Sequence, residues 1–171
     1  MSQKIVFMGT PEFSTPTLES LVNSNHKILA VYSQPASKAN RGQKIIPSKV
    51  EILAKEHTLN LRTPDSLDND EEYDYLKKLD PDIVIVIAYG KIIPKKFLDL
   101  SKYGFINVHA SLLPKWRGAA PIQRSIMNLD NQTGISIMKI VEKLDAGPVS
   151  SFSLIFIILI PVSLSKFIKD L

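Results

Sequence analysis

Residues 4–8 form a short apolar run (KIVFM) that ends at Gly9, Thr10 and Pro11. Residues 14–23 follow with apolar positions at Leu18, Leu21 and Val22, so the pattern predicts a strand, a turn and a helix. A second apolar run, KILAVY at 27–32, is followed by a loop over 34–47, rich in Pro, Ser, Asn and Gly. Ser48 is placed to cap a helix over 48–56, with Glu51 three residues on completing a capping box. A second amphipathic and acidic helix is predicted over 63–79. The run DIVIVIA at 82–88 is nearly all β-branched, as in a parallel strand covered on both faces. A short helix over 94–101, a strand over 105–110, a helix over 121–129 and a strand over 134–141 complete the pattern. Strands alternating with helices predict an α/β fold with an open, mostly parallel sheet, helices on both faces and ligands at the carboxyl ends of the strands.

Composition narrows this picture. With 171 residues, 44% hydrophobic and 22% charged, the chain suits one globular domain and not a disordered one. It has no cysteine and three histidines, which excludes disulfides, a thiolate nucleophile and sulfur-ligated zinc, so no metal is expected. Met1 leads straight into the first strand without the regions of a signal peptide, and a cytoplasmic location is expected. The apolar stretch 152–160 is too short for a bilayer that needs about 20 residues, so no membrane attachment is expected. The net charge of +4 is unevenly spread. Lys38, Arg41, Lys44 and Lys49 stand in a segment without acids, residues 65–82 are strongly acidic, and residues 91–124 are basic again. Such alternation suits an enzyme with a polyanionic substrate as well as it suits solvated faces.

Gly9-Thr10-Pro11-Glu12 lacks the second glycine of a dinucleotide fingerprint, and neither a phosphate-binding loop nor a nucleophile elbow occurs. One dense polar constellation remains. Asn107 and His109 are two apart on a strand and share a face at its carboxyl end, where an amide donor and an imidazole converge. Ser111, Leu112, Leu113 and Pro114 follow, then Arg117 and Gly118. Asp145 stands in the loop KLDAG after the last clear strand, within expected reach of His109. Taken singly, His109 also reads as a hydrogen-bonded core residue and Asp145 as a turn residue.

Together MGTPEFS, QPASKANRGQKIIPS, AYGKIIP, NVHASLLPKWRGAAPIQRSI and KLDAG, in this order, resemble the methionyl-tRNA formyltransferases, a branch of the 10-formyltetrahydrofolate-dependent formyltransferase family. The likeness runs from Lys4 to Gly147 and implies a Rossmann-like catalytic domain over 1–147. It also implies formyl transfer from 10-formyltetrahydrofolate to the amino group of methionyl initiator tRNA, without a metal. Asn107, His109 and Asp145 would be catalytic. Ser111, Leu112, Leu113 and Pro114, with Ala88, Tyr89, Gly90 and Leu144, would hold the folate donor, and Lys38, Arg41 and Lys44 would meet the tRNA. A monomer is expected.

Residues 148–171 depart from the family pattern as an apolar tail, and the C-terminal tRNA-binding β-barrel is expected to be absent, as in a truncated reading frame. Three readings follow: a methionyl-tRNA formyltransferase, an inactive folate-binding remnant, and a formyltransferase acting on a small amine. The basic RGQK loop disfavours the small-amine reading. The tail itself is expected not to pack as the family's own continuation, because its apolar run has neither helical period nor strict alternation.

Overall fold

The computed structural model of the chain describes residues 2–39 and 44–156, the side chains of residues 38, 39, 44 and 152–156 excepted. The chain divides into two compact units, Met1–Phe105 and Ile106–Leu171.

In chain order the first unit holds β1 (Lys4–Gly9), α1 (Thr15–Val22), β2 (Lys27–Tyr32), β3 (Ser37–Ala39), β4 (Lys44–Ile46), α2 (Lys49–Glu56), β5 (Leu61–Arg62), α3 (Asp70–Leu79) and β6 (Ile83–Ile87). Its main sheet runs in the order β5-β2-β1-β6, with every pairing parallel. Val6 stands opposite Ala30 on one side and Val84 on the other, and all three are fully buried. Phe7, Met8, Val31 and Tyr32 are buried as completely, so consecutive residues of β1 and β2 are covered whichever face they point to. That is why these strands read as unbroken apolar runs. The Ser14 hydroxyl, at the N-cap of α1, donates to the Ile87 carbonyl at 2.7 Å and ties the helix start to the end of β6.

Several expectations need correction. The acidic helix begins at Asp70, because the Asn69 side chain accepts from the Glu72 N–H at 2.8 Å and turns the chain into the helix there. Asp70, Glu71 and Glu72 then occupy the first turn, where the helix dipole favours negative charge. Within the span expected to be helical from residue 63, nothing before Asp70 is helix, and just upstream lies β5, two residues too short to leave a periodic signal. Arg62 on β5 joins this strand to α3 by donating Nε and Nη2 to the buried Glu72 carboxylate at 2.9 and 2.6 Å. The loop 34–47 contains an antiparallel pair, β3 with β4, which its turn-rich composition concealed. Residues 94–101 hold only a 3-10 turn, Lys95–Phe97, in place of the expected helix. Ser48 caps α2 as expected, accepting from the Glu51 N–H at 2.9 Å, but the box is half made: the Glu51 carboxylate turns to Lys55 at 2.7 Å.

The second unit contains β7 (Phe105–His109, its first residue lying in the first unit), α4 (Pro121–Met127), β8 (Gln132–Lys139) and β9 (Val149–Phe156). β7 pairs antiparallel with β8, and β8 antiparallel with β9. The apolar segment after Gly147 thus supplies a strand through Phe156, with Gln132 opposite Phe156 and Met138 opposite Val149. The rest of the tail, 157–171, lies outside the described residues. The α/β class with a mostly parallel sheet is as expected.

The cap assignment is testable by chemical denaturation. Asn69→Ala should lower stability by about 1 kcal/mol, whereas Asn69→Asp, which keeps the accepting oxygen, should change it by only a few tenths. No loss on Asn69→Ala would place the start of the helix elsewhere.

Candidate active site

The β7–β8 register places Asn107 opposite Met138 and His109 opposite Ser136. By strand alternation Asn107 and His109 project from the same face, as expected. His109 is 6% exposed, and its Nε2 lies 2.9 Å from the carbonyl oxygen of Trp116. A carbonyl only accepts, so Nε2 carries the proton and the neutral ring is held in one tautomer. Nδ1 then faces Asp145, whose Oδ2 is 3.9 Å away. Both side chains are more than nine-tenths buried. At that separation the two form an ion pair only when the ring gains its second proton, and no short hydrogen bond is made in the ligand-free geometry. The half-buried amide of Asn107 has no hydrogen-bond partner among the described residues.

The loop after β7 is pinned from two sides. Ser136 is fully buried; its hydroxyl donates to the Ser111 carbonyl at 2.6 Å and accepts from the Leu113 N–H at 3.0 Å. The Ser111 hydroxyl in turn donates to the Lys115 carbonyl at 2.6 Å. The strap that follows takes left-handed backbone at Trp116 (φ 58°), Gly118 (φ 83°) and Ala120 (φ 54°). Such a conformation costs a non-glycine residue roughly 1–2 kcal/mol and persists only where the surroundings enforce it. Here the Gly118 N–H donates to Asp145 Oδ2 at 2.7 Å, and the indole N–H of Trp116 donates to Asp130 Oδ2 at 2.5 Å. Lys115 and Asn128 each donate to the other carboxylate oxygen of Asp130, both at 2.7 Å.

Asp145 reaches His109 by a route that strand order alone does not suggest. Because β8 is antiparallel to β7, the end of β8 at Lys139 lies beside Ile106, three residues from His109, or about 10 Å along the strand. The loop after β8 therefore folds back to bring Asp145 up to the ring. Gly147 allows this, since a Cβ there would sit 1.8 Å from the Lys139 carbonyl oxygen. Asp145 itself is left-handed at φ 46°. Leu144 beside it is 72% exposed.

The other expected site residues fall as follows. Leu113 and Ser111 are buried, Leu112 is half-buried and Pro114 exposed, and the Leu113–Pro114 peptide is cis. In the first unit Ala88 (φ 47°) and Gly90 (φ 82°) flank the buried Tyr89, whose carbonyl accepts from the Thr10 hydroxyl at 2.8 Å and from Gln34 Nε2 at 3.0 Å. Lys38 and Lys44 lie on β3 and β4, but their side chains, and Arg41 entirely, lie outside the described residues. Sequence reasoning passed over Trp116, Gly118, Asp130 and Ser136 as groups that shape this site. Gly118 and Trp116 stood inside a quoted motif without a role, whereas Asp130 and Ser136 carry no local signal. Among the described residues no cluster of His, Cys, Asp and Glu is arranged to hold a metal, and no helix is long and apolar enough to cross a membrane.

Comparison with known proteins decides the lineage. Residues 3–158 match the model of the formyl transferase family. The chain belongs to that family. Among curated relatives, the methionyl-tRNA formyltransferase of Pelagibacter ubique is 64% identical over 152 residues, covering 88% of this chain and 49% of the relative. That of Methylococcus capsulatus is 52% identical over 145 residues, covering 85% and 47%. The chain spans about half the length of the curated relatives it matches. Among solved structures, phosphoribosylglycinamide formyltransferase from Bacillus halodurans superposes with a TM-score of 0.76 at 19% identity, covering 98% of this chain and 88% of that one. That similarity shows the Rossmann-like formyl transferase fold.

In the second unit the Asp130 carboxyl is held down to about 2 from an ordinary 3.8, by its hydrogen bonds to Lys115 first and then to Asn128 and Trp116. A depressed carboxyl stabilises the fold fully above its unfolded value, and that stabilisation disappears as pH falls through the folded value. Trp116 is the only tryptophan, so its emission reports on the anchor. On acidification the emission should stay constant through 3.8 and shift only as pH approaches about 2. A shift centred near 3.8, with far-UV circular dichroism unchanged, would show that the carboxylate is not held in this way.

Proposed function

We propose that this domain catalyses transfer of the formyl group of 10-formyltetrahydrofolate to the amino group of methionyl initiator tRNA, with Asn107, His109 and Asp145 as the catalytic residues. The observation that carries the reading is the buried His109–Asp145 pair, 3.9 Å apart, on the face from which Asn107 presents an amide without a partner among the described residues. The names of the curated relatives, at 64% and 52% identity, support the choice of reaction.

The donor fits what this unit offers. An unpartnered amide suits a carbonyl oxygen, and Leu144, 72% exposed beside Asp145, suits an apolar ring. When bound, the donor supplies an electrophilic formyl carbon, and attack by an amine moves negative charge onto the formyl oxygen. Asn107 meets that charge with Nδ2–H, a donor whose removal from such a role costs about 3 kcal/mol. In its protonated state His109 keeps Nε2–H on the Trp116 carbonyl and turns Nδ1–H toward Asp145, which places a positive charge two residues along the same face. Asp145, oriented by the Gly118 N–H, stabilises that imidazolium and orders the water that carries the proton released by the attacking amine to the folate nitrogen, which leaves as its bond to the formyl carbon breaks. Ser111, Leu112, Leu113 and Pro114 form the wall of the donor site in this unit, held there by Ser136. Lys38, Arg41 and Lys44 contact tRNA phosphates, an interaction that salt weakens. The reaction belongs to the cytoplasm, where initiator tRNA is charged.

Transfer of labelled formyl from 10-formyltetrahydrofolate to methionyl initiator tRNA tests the reading. Asn107→Ala and His109→Ala should each lower kcat by about 10²–10³ with folding unchanged by circular dichroism, and Asp145→Asn should do so too. Variants within twofold of the parent would remove these residues from catalysis. Transfer to a free small amine but not to the charged tRNA would replace the proposed acceptor.

A further inference from the structure

Asp130 lies between α4 and β8 and is not among the residues proposed to touch a substrate, yet its carboxylate is among the most heavily engaged in the second unit. Its side chain is 5% exposed, and it accepts from Lys115 Nζ, Asn128 Nδ2 and the Trp116 indole N–H. Two of these donors are consecutive residues of the strap. The next polar groups along the strap are the Trp116 carbonyl, 2.9 Å from His109 Nε2, and the Gly118 N–H, 2.7 Å from Asp145 Oδ2. The Trp116 ring is further covered by the guanidinium of Arg124, 5.3 Å from its centroid, and by Lys115 Nζ at 5.6 Å.

We propose that Asp130 is a positioning residue for formyl transfer: by anchoring Trp116 it holds the carbonyl that sets the His109 ring, so that Nδ1 stays turned toward Asp145. The inference rests on the catalytic reading of His109 and Asp145 given above. Its physical content is that one carboxylate enforces the left-handed Trp116 backbone at φ 58°. The strap's other ties fall on the neighbours of Trp116, on the Lys115 carbonyl from Ser111, on the Arg117 carbonyl from Arg124 and on the Gly118 N–H, so release of the indole N–H removes the tie at Trp116 itself and lets its carbonyl turn from the imidazole. The ring then loses the acceptor that selects its Nε2–H tautomer. A misdirected imidazole lowers the rate of the chemical step more than it weakens donor binding, because Ser136 ties Ser111 and Leu113 directly, whatever becomes of the Lys115 contact to Asp130.

The test compares Asp130→Ala, Asp130→Asn and Trp116→Phe in the full chain by three readouts, the first taken on the two chains that keep Trp116. Acrylamide quenching of Trp116 reads the anchor, ¹⁵N shifts of the His109 ring in mildly alkaline buffer read the tautomer, and kcat with KM for the donor reads the reaction. Asp130→Ala should expose Trp116 to quencher, convert His109 from the Nε2–H form to a tautomer mixture and lower kcat roughly ten- to a hundredfold, more than it raises KM. Asp130→Asn keeps an acceptor for the indole and should largely restore the ring signal and the rate. Trp116→Phe removes the indole N–H but leaves Asp130 in place; it should reproduce the tautomer change, which keeps the inference testable if Asp130→Ala fails to fold. An unaltered His109 tautomer in Trp116→Phe, or in a folded Asp130→Ala chain whose Trp116 has been released, would overturn the proposal. So would a fall in stability and rate that Asp130→Asn does not relieve. The ring signal reads positioning and the His109→Ala rate reads the catalytic assignment, so failure of one is distinguishable from failure of the other.

Discussion

The pairing of His109 with Ser136 across β7 and β8 is the constraint from which the candidate site hangs. Opposed residues in an antiparallel ladder project from the same face. The Ser136 hydroxyl is therefore held beside the imidazole, where it binds the Ser111 carbonyl and the Leu113 N–H and bends the loop after β7 back over the ring. That bend brings the Trp116 carbonyl to Nε2 and the Gly118 N–H to Asp145. A one-residue slip in this ladder would send His109 to the opposite face and dismantle every one of these contacts.

Backbone strain is present where the chemistry is proposed, as it is at Thr58, Asp80 and Leu129 elsewhere. Trp116, Ala120 and Asp145 all take left-handed backbone without being glycine. The compensating interactions are identifiable: the Asp130 carboxylate for Trp116 and the Gly118 N–H for the Asp145 side chain. Glycine is required at 147, where the returning loop passes against the Lys139 carbonyl. The first unit is built differently. Its parallel strands are covered on both faces, and the buried Glu72 carboxylate is met by two nitrogens of Arg62. Loops carrying special backbone beside a rigid sheet are the usual division of labour between function and scaffold.

How far the chain could be read from its letters followed the range of the interactions. β1, β2 and β6 were legible because continuous apolar runs betray covered strands, and α1, α2 and α4 because their spacing, and for α2 its cap, is local. The start of α3 was misplaced, since an Asn cap competes with a longer amphipathic pattern and only the folded chain shows which wins. β5 and the β3–β4 pair escaped because two- and three-residue strands have no periodicity to detect. Within the site, Asn107 and His109 were legible from strand alternation. The closeness of Asp145 was expected correctly but for an incomplete reason: β8 runs antiparallel, and a loop that doubles back makes the approach. Ser136 and Asp130 were illegible, because the partners through which they shape the site, Ser111 and Leu113 for one and Lys115 and Trp116 for the other, stand many residues away.

The central claim is that Asn107, His109 and Asp145 form one group that receives a formyl oxygen. It is tested most directly by NMR titration of the ¹⁵N-labelled chain with a 10-formyltetrahydrofolate analogue unable to release its formyl group. The account predicts that the Asn107 side-chain amide signals move downfield as that amide gains its missing acceptor. The His109 ring signals should shift along the same saturation curve. Saturable binding that leaves both the Asn107 amide and the His109 ring unmoved would contradict it.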